Sequence, residues 1–99
     1  MINSLKELFW KVWTSRYHQC EVCGTFIYES KTFCFAHVLG HGMHKKYKYD
    51  PNNIIMVCSI ECHREVDRLT SGNKHVIESM LAEGNQITFD YLLNLNSQR

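Results

Sequence analysis

Two close pairs of cysteines, Cys20-x2-Cys23 and Cys58-x3-Cys62, are separated by 34 residues. Four thiolates with such short internal spacings can converge on one tetrahedral zinc, because each turn presents two sulfurs to the same point. A chain that folds this way must bring residues around 20 and around 60 together, which removes most alternative topologies. The first pair is followed by Gly24, whose permissive backbone suits a tight turn. The second pair is one residue wider, and a histidine at one corner, His63 or His18, is an acceptable exchange. The fifth cysteine, Cys34, lies in an apolar run and is expected in the core.

Length makes such a metal useful. Ninety-nine residues are enough for one domain, and domains of this size bury a smaller share of their surface than larger ones. An odd number of cysteines argues against a secreted disulfide framework. The opening "MINSLKELFWKVW" carries Lys6, Glu7 and Lys11 and lacks the continuous apolar run of a signal peptide. The expected compartment is therefore the cytoplasm, where thiols stay reduced and free to bind metal. No stretch approaches the roughly 20 apolar residues that cross a bilayer, so no membrane span is expected. The net charge of +1 excludes a polycation, and any attraction to phosphate must come from local clusters.

Periodicity supplies the remaining framework. Leu5, Leu8, Phe9, Val12 and Trp13 recur at helical spacing behind Ser4, which predicts an N-terminal helix over 3–14. "TFIYE" and "KTFCFAH" read as the two arms of a β-hairpin, "IIMVC" as a short buried strand, and 38–53 as a long polar connection closed by "YDPNN". A helix is predicted from Cys58 to Leu69, ended by Gly72. A second, from about His75 to Ala82, presents Val76, Ile77, Met80 and Leu81. A third short one holds the apolar residues between Ile87 and Leu95, although Ile87 to Tyr91 also suits an extended strand. The expectation is a single α+β domain, with a zinc-bearing core over 16–70 and a helical tail over 73–96.

Joining "QCEVC" to "VCSIEC" through zinc brings the strand carrying His37 against the helix carrying His63. On that helix His63 and Asp67 lie four apart and share a face, a half-site for a hard or borderline divalent cation. Between the two histidines "HGMHKKYKYD" packs His41, His44, Lys45, Lys46 and Lys48 around Tyr47 and Tyr49. These residues make a phosphate-attracting patch with aromatics able to stack on or hydrogen-bond to nucleic acid. No arginine lies there, so backbone or shape recognition is expected in place of guanine reading.

The ordered set C-x2-C … AHVLG … DPNNI … C-x3-CH-x3-D, over about residues 16–70, resembles the HNH nucleases of the ββα-metal class. The likeness is to the small zinc-containing phage type that includes recombination and junction-cutting enzymes. The resemblance implies a ββα-metal core and a metal-dependent endonuclease that hydrolyses DNA phosphodiesters in the host-cell cytoplasm, and its phage-type likeness points to branched or distorted DNA. It implies His37 as general base, His63 and Asp67 on one Mg2+ or Mn2+, and products with 5′-phosphate and 3′-hydroxyl ends. Asn53 would hold the loop and orient His37, or reach the metal. One departure stands out. The residue before the first motif histidine is often a metal-binding Asp or His in this family, and here it is Ala36. Asn53, Asp67, His41, Asp50 or water would have to take its place.

A 99-residue nuclease that cuts both strands is expected to act as a twofold homodimer, for which 75–95 offers apolar surface. The competing class is a non-catalytic, zinc-stabilised module that binds nucleic acid or a protein.

Overall fold

The computed structural model describes residues 2–40 and 45–97. Its first element, α1 (Leu5–Ser15), begins where the Ser4 hydroxyl accepts a hydrogen bond from the Glu7 amide, at 3.2 Å. That cap satisfies one of the amide groups a helix start leaves without a partner. Leu8 and Val12, one turn apart, are fully buried, and the helix ends when Arg16 turns extended.

The sheet has two strands, β1 (Phe35–His37) and β2 (Ile54–Met56), running antiparallel with Phe35 opposite Met56, Ala36 opposite Ile55 and His37 opposite Ile54. Amide bonds from Val57 to the Cys34 carbonyl (2.8 Å) and from Val38 to the Asn53 carbonyl (2.9 Å) lengthen the ladder at both ends. Alternation of side chains across a strand sorts these residues into two cores. Phe35, Ile54 and Met56 pack with Leu8 and Val12 of α1. Ala36, Ile55 and Val57 pack with the helices that follow. Both faces are thus covered, which explains why "IIMV" is apolar without alternation.

Those following helices are α2 (Ile60–Thr70), α3 (Lys74–Ala82) and α4 (Phe89–Ser97). Ser59 caps α2 through the Cys62 amide at 3.2 Å, and Gly72, at φ 87°, makes the reversal between α2 and α3 that a side chain would resist. Val66, Leu69, Ile77, Leu81, Ile87 and Leu92 close the second core. The radius of gyration, 12.6 Å, equals the roughly 13 Å expected of a compact domain of this length. The α+β expectation holds in this form: four helices and a two-stranded antiparallel sheet.

Three expectations are corrected. "TFIYE" forms no hairpin arm; it meets the chain only in an isolated bridge between Gln19 and Phe26, and the partner of β1 is β2. Its apolar residues have no sheet face to cover, and Phe26 and Tyr28 stand exposed around a buried Ile27. Ile87 lies outside any helix, itself buried between the exposed Gln86 and Thr88, and α4 starts only at Phe89. Most apolar residues of 75–95 turn inward, leaving Val76 and Leu93 as the exposed large ones there. No helix among the described residues is long and apolar enough to cross a membrane.

Candidate metal centre and adjoining cleft

The sulfurs of Cys20, Cys23, Cys58 and Cys62 all lie within 4.8 Å of one another. Cys23 and Cys58 are 3.4 Å apart and Cys58 and Cys62 3.9 Å, close to the edge of about 3.8 Å that a tetrahedron with Zn–S bonds near 2.3 Å requires. The donor set therefore fits zinc. Neither His18 nor His63 belongs to it. His18 stacks on Trp13 with ring centroids 3.5 Å apart and bonds the Trp13 carbonyl, while His63 faces Asp67. The wider second spacing is explained by α2, since Cys58 precedes the cap residue and Cys62 lies in the first turn. Cys34 stands apart, 2% exposed in the core beneath α1.

Local chemistry divides the thiols. A hydrogen bond to the Thr25 hydroxyl holds Cys23 down at about 6, from an ordinary 9.0. Burial pushes Cys58 up, and pushes Cys62 up to about 12. A dication at the centre of the four sulfurs reverses that penalty, because thiolates are what it binds.

A polar staple that the sequence does not announce seats the first pair. Arg16, its side chain 15% exposed, donates to the carbonyls of Ile54 and Pro51, each at 2.8 Å, and to the Glu21 carboxylate at 3.0 Å. The Glu21 carboxylate also accepts from the Met56 amide at 2.9 Å, and the Glu21 amide donates to the Met56 carbonyl at 2.8 Å. The Cys20–Cys23 turn is therefore bonded to β2 just before Cys58. In sequence, Arg16 and Glu21 look like a surface pair five residues apart. Only the edge of β2 gives them their role.

Around this anchor the other predicted residues take their places. His37, at the end of β1, shares a cleft of about 550 Å³ with His63 and Asp67 of α2, floored by Phe9 and Phe35. The His63 Nδ1 and an Asp67 carboxylate oxygen are 3.4 Å apart. The His37 Nε2 lies 2.9 Å from the Lys48 carbonyl. A carbonyl can only accept, so Nε2 carries a proton. Phe9 meets the same ring edge-on, at 6.1 Å between centroids.

Asn53 is fully buried, and its carboxamide is taken up by the loop. Its Oδ1 accepts from the Leu39 amide (2.8 Å) and its Nδ2 donates to the carbonyls of Leu39 (3.0 Å) and Tyr47 (3.2 Å). Of the two roles expected for it, this geometry is that of the loop holder. Asp50 caps the turn Pro51–Asn53 through the Asn52 amide, at 2.9 Å, and Ala36 is buried, so neither adds a donor to the cleft. Among the described residues, three or more metal-ligating side chains meet only at the four cysteines. His63 and Asp67 on their own make a two-donor site, which suits an ion that keeps water ligands, as Mg2+ does.

Lys45 and Lys46 are exposed, and the ammonium groups of Lys46 and Lys48 lie over the rings of Tyr47 and Tyr49, at 5.5 and 5.3 Å. Tyr47 is a core residue, 4% exposed, with its hydroxyl on the Glu78 carbonyl. The expectation that it reaches nucleic acid is therefore corrected. The phosphate contacts expected of His41 and His44 lie outside the described residues. Comparison of the chain with protein-family models, with curated proteins and with solved structures gives no significant match.

Proposed function

We propose that this chain is a zinc-stabilised, metal-dependent DNA endonuclease of the HNH type. The observation that carries the reading is the shared cleft, lined by a strand-borne imidazole, His37, and by a helix-borne imidazole and carboxylate, His63 and Asp67. Two antiparallel strands followed by a helix supply these groups in the order the resemblance implies.

A phosphodiester is a stable anion. Its hydrolysis needs an activated water, neutralised charge and a stabilised leaving oxygen. His37 takes a proton from water at Nδ1, while the Lys48 carbonyl holds Nε2–H and keeps the ring oriented. Asn53 acts at one remove as a positioning residue, by bonding Leu39 and Tyr47, the residue next to Lys48. His63 and Asp67 would hold one divalent ion, Mg2+ or Mn2+, which supplies charge neutralisation at the phosphate and the departing 3′ oxygen. Asp67 lies on the Nδ1 side of the His63 ring, so an ion held by both would take Nδ1 and the carboxylate, with the ring proton on Nε2. Lys45, Lys46 and Lys48 attract the backbone.

The buried Ala36, where a further ligand would be expected, favours the competing reading of a zinc module that binds without cutting. Supercoiled plasmid separates the two. The zinc-loaded protein should nick it with added Mg2+ or Mn2+ and not without, and His37→Ala should abolish nicking. Plasmid retained in a gel but never nicked by the wild type would establish the binding module.

A further inference from the structure

We propose that the groove between α1 and the segment 30–35 holds unpaired nucleotides of the substrate. The strand to be cut is then single-stranded on one side of the scissile phosphate. This rests on the nuclease reading for its orientation toward the cleft.

The groove, about 430 Å³, and the cleft of His37 share Leu5, Phe9, Thr32 and Phe35, so one runs into the other. Its remaining lining is Lys6, Trp10, Ser30 and Lys31. Trp10 is 66% exposed, an unusual position for so large an apolar group in a domain with two cores to fill. Lys6 lies one turn before Trp10 on the same face of α1 and makes no ion pair among the described residues. Lys31 meets Glu29 at 3.9 Å, a surface pair too exposed and too long to tie it down. Phe9, half-buried and stacked on the core residue Phe35 at 4.5 Å between centroids, backs the indole.

An exposed indole with hydroxyls and ammonium groups beside it is the chemistry of a base-stacking platform next to a phosphate track. Paired bases keep their faces inside the duplex and offer the protein only groove edges, sugars and phosphates. An unpaired base offers a whole face, and its phosphates fall at the lysines. Continuity with the cleft of His37 selects nucleic acid over an apolar peptide, because the same strand then passes the candidate base.

The test measures fluorescence anisotropy of fluorescein-labelled blunt duplexes and of the same duplexes carrying a 5′ or 3′ oligothymidylate tail. The zinc-loaded protein is used without added Mg2+. The wild type should prefer one tailed duplex. Trp10→Ala should lower affinity for it about tenfold and bring the tailed-to-blunt ratio toward one, and Trp10→Phe should keep most of the preference. Lys6→Ala and Lys31→Ala should each flatten the salt dependence by about 0.7 in log–log slope, one phosphate contact on a single strand. Zinc content and circular dichroism check that the variants fold.

Equal binding of tailed and blunt duplexes by the wild type, or unchanged preference in Trp10→Ala, overturns the groove. The nuclease reading fails separately. Trp10-dependent binding with no metal-dependent nicking by the wild type leaves the groove standing and removes the enzyme. Nicking that needs His37 but ignores Trp10 on every substrate does the reverse.

Discussion

The Nε2 of His37 sits 2.9 Å from the carbonyl oxygen of Lys48, eleven residues along the chain. The ring is thus aimed by a loop and not by its own strand. Replacing His37 with Ala should reduce metal-dependent cutting by about two to four orders of magnitude, the usual contribution of a positioned general base. Binding of the same DNA in a gel shift should change little. Equal cutting by the variant would remove His37 from the chemistry.

Asn53 should matter for stability as much as for rate. Asn53→Ala strands the Leu39 amide and two carbonyls in a fully buried site. It should cost about 2–4 kcal/mol, or on the order of 10 °C in melting temperature. Asn53→Asp should be no better, since it turns an acceptor toward the carbonyls of Leu39 and Tyr47. Thermal melts of the zinc-loaded proteins decide this.

One zinc should bind per chain. Cobalt substitution should give the visible absorption of a tetrahedral thiolate site. A Ser replacement of Cys20, Cys23, Cys58 or Cys62 should lose it, and Cys34→Ala should keep it. Chelation should lower the melting temperature, because the metal joins segments that otherwise share small cores.

Zinc uptake should release protons. Near pH 7.5 the metal-free Cys23, lowered to about 6, is already ionised, whereas Cys58 is raised and Cys62 is raised to about 12. Binding must therefore displace the protons of Cys58 and Cys62. Affinity should climb with pH, and calorimetric enthalpy should depend on the ionisation heat of the buffer. In the metal-free fold the sign for Cys62 is the opposite. Its raised value favours folding below the ordinary 9.0, and that contribution is lost as pH rises toward about 12. Denaturant midpoints of the apo protein over that range measure it.

Arg16→Ala should destabilise the domain by about 2–3 kcal/mol, because it leaves two carbonyls and the Glu21 carboxylate without their donor. Arg16→Lys should rescue little, since an ammonium lacks the planar fork that reaches several acceptors at once. Weaker zinc retention in both variants, read by competition with a chelating dye, would tie the staple to the metal site. Unchanged retention would confine its role to β2.

Local patterns carried some of this architecture in plain view. Ser4 before the Leu5–Val12 periodicity, Ser59 before α2, Gly72 after it and the paired cysteines each act within a few residues, so their consequences can be read without the rest of the chain. The partner of β1 could not be read in that way. Phe26 and Tyr28 carry the same strand-forming chemistry as Phe35, and only the distant "IIMV" segment decides between them. The site divides along the same line. The four sulfurs and the His63–Asp67 spacing follow from local geometry. The roles of Asn53, Asp50 and Tyr47 depend on how a sixteen-residue connection from 38 to 53 closes on itself, and the Arg16–Glu21 staple depends on which strand edge lies beneath it.

With both faces of its sheet buried, this fold faces an unusual hazard. A slip of β1 against β2 by a single position would exchange the faces of Phe35 and Ala36, forcing a phenyl ring into the place of a methyl group. It would also swing His37 out of the cleft and toward the helical core. Cys58 lies two residues past Met56, and Glu21 is bonded to Met56 itself. A metal held by the four sulfurs would thus steady β2, the strand against which His37 is registered, beside the Cys20–Cys23 turn.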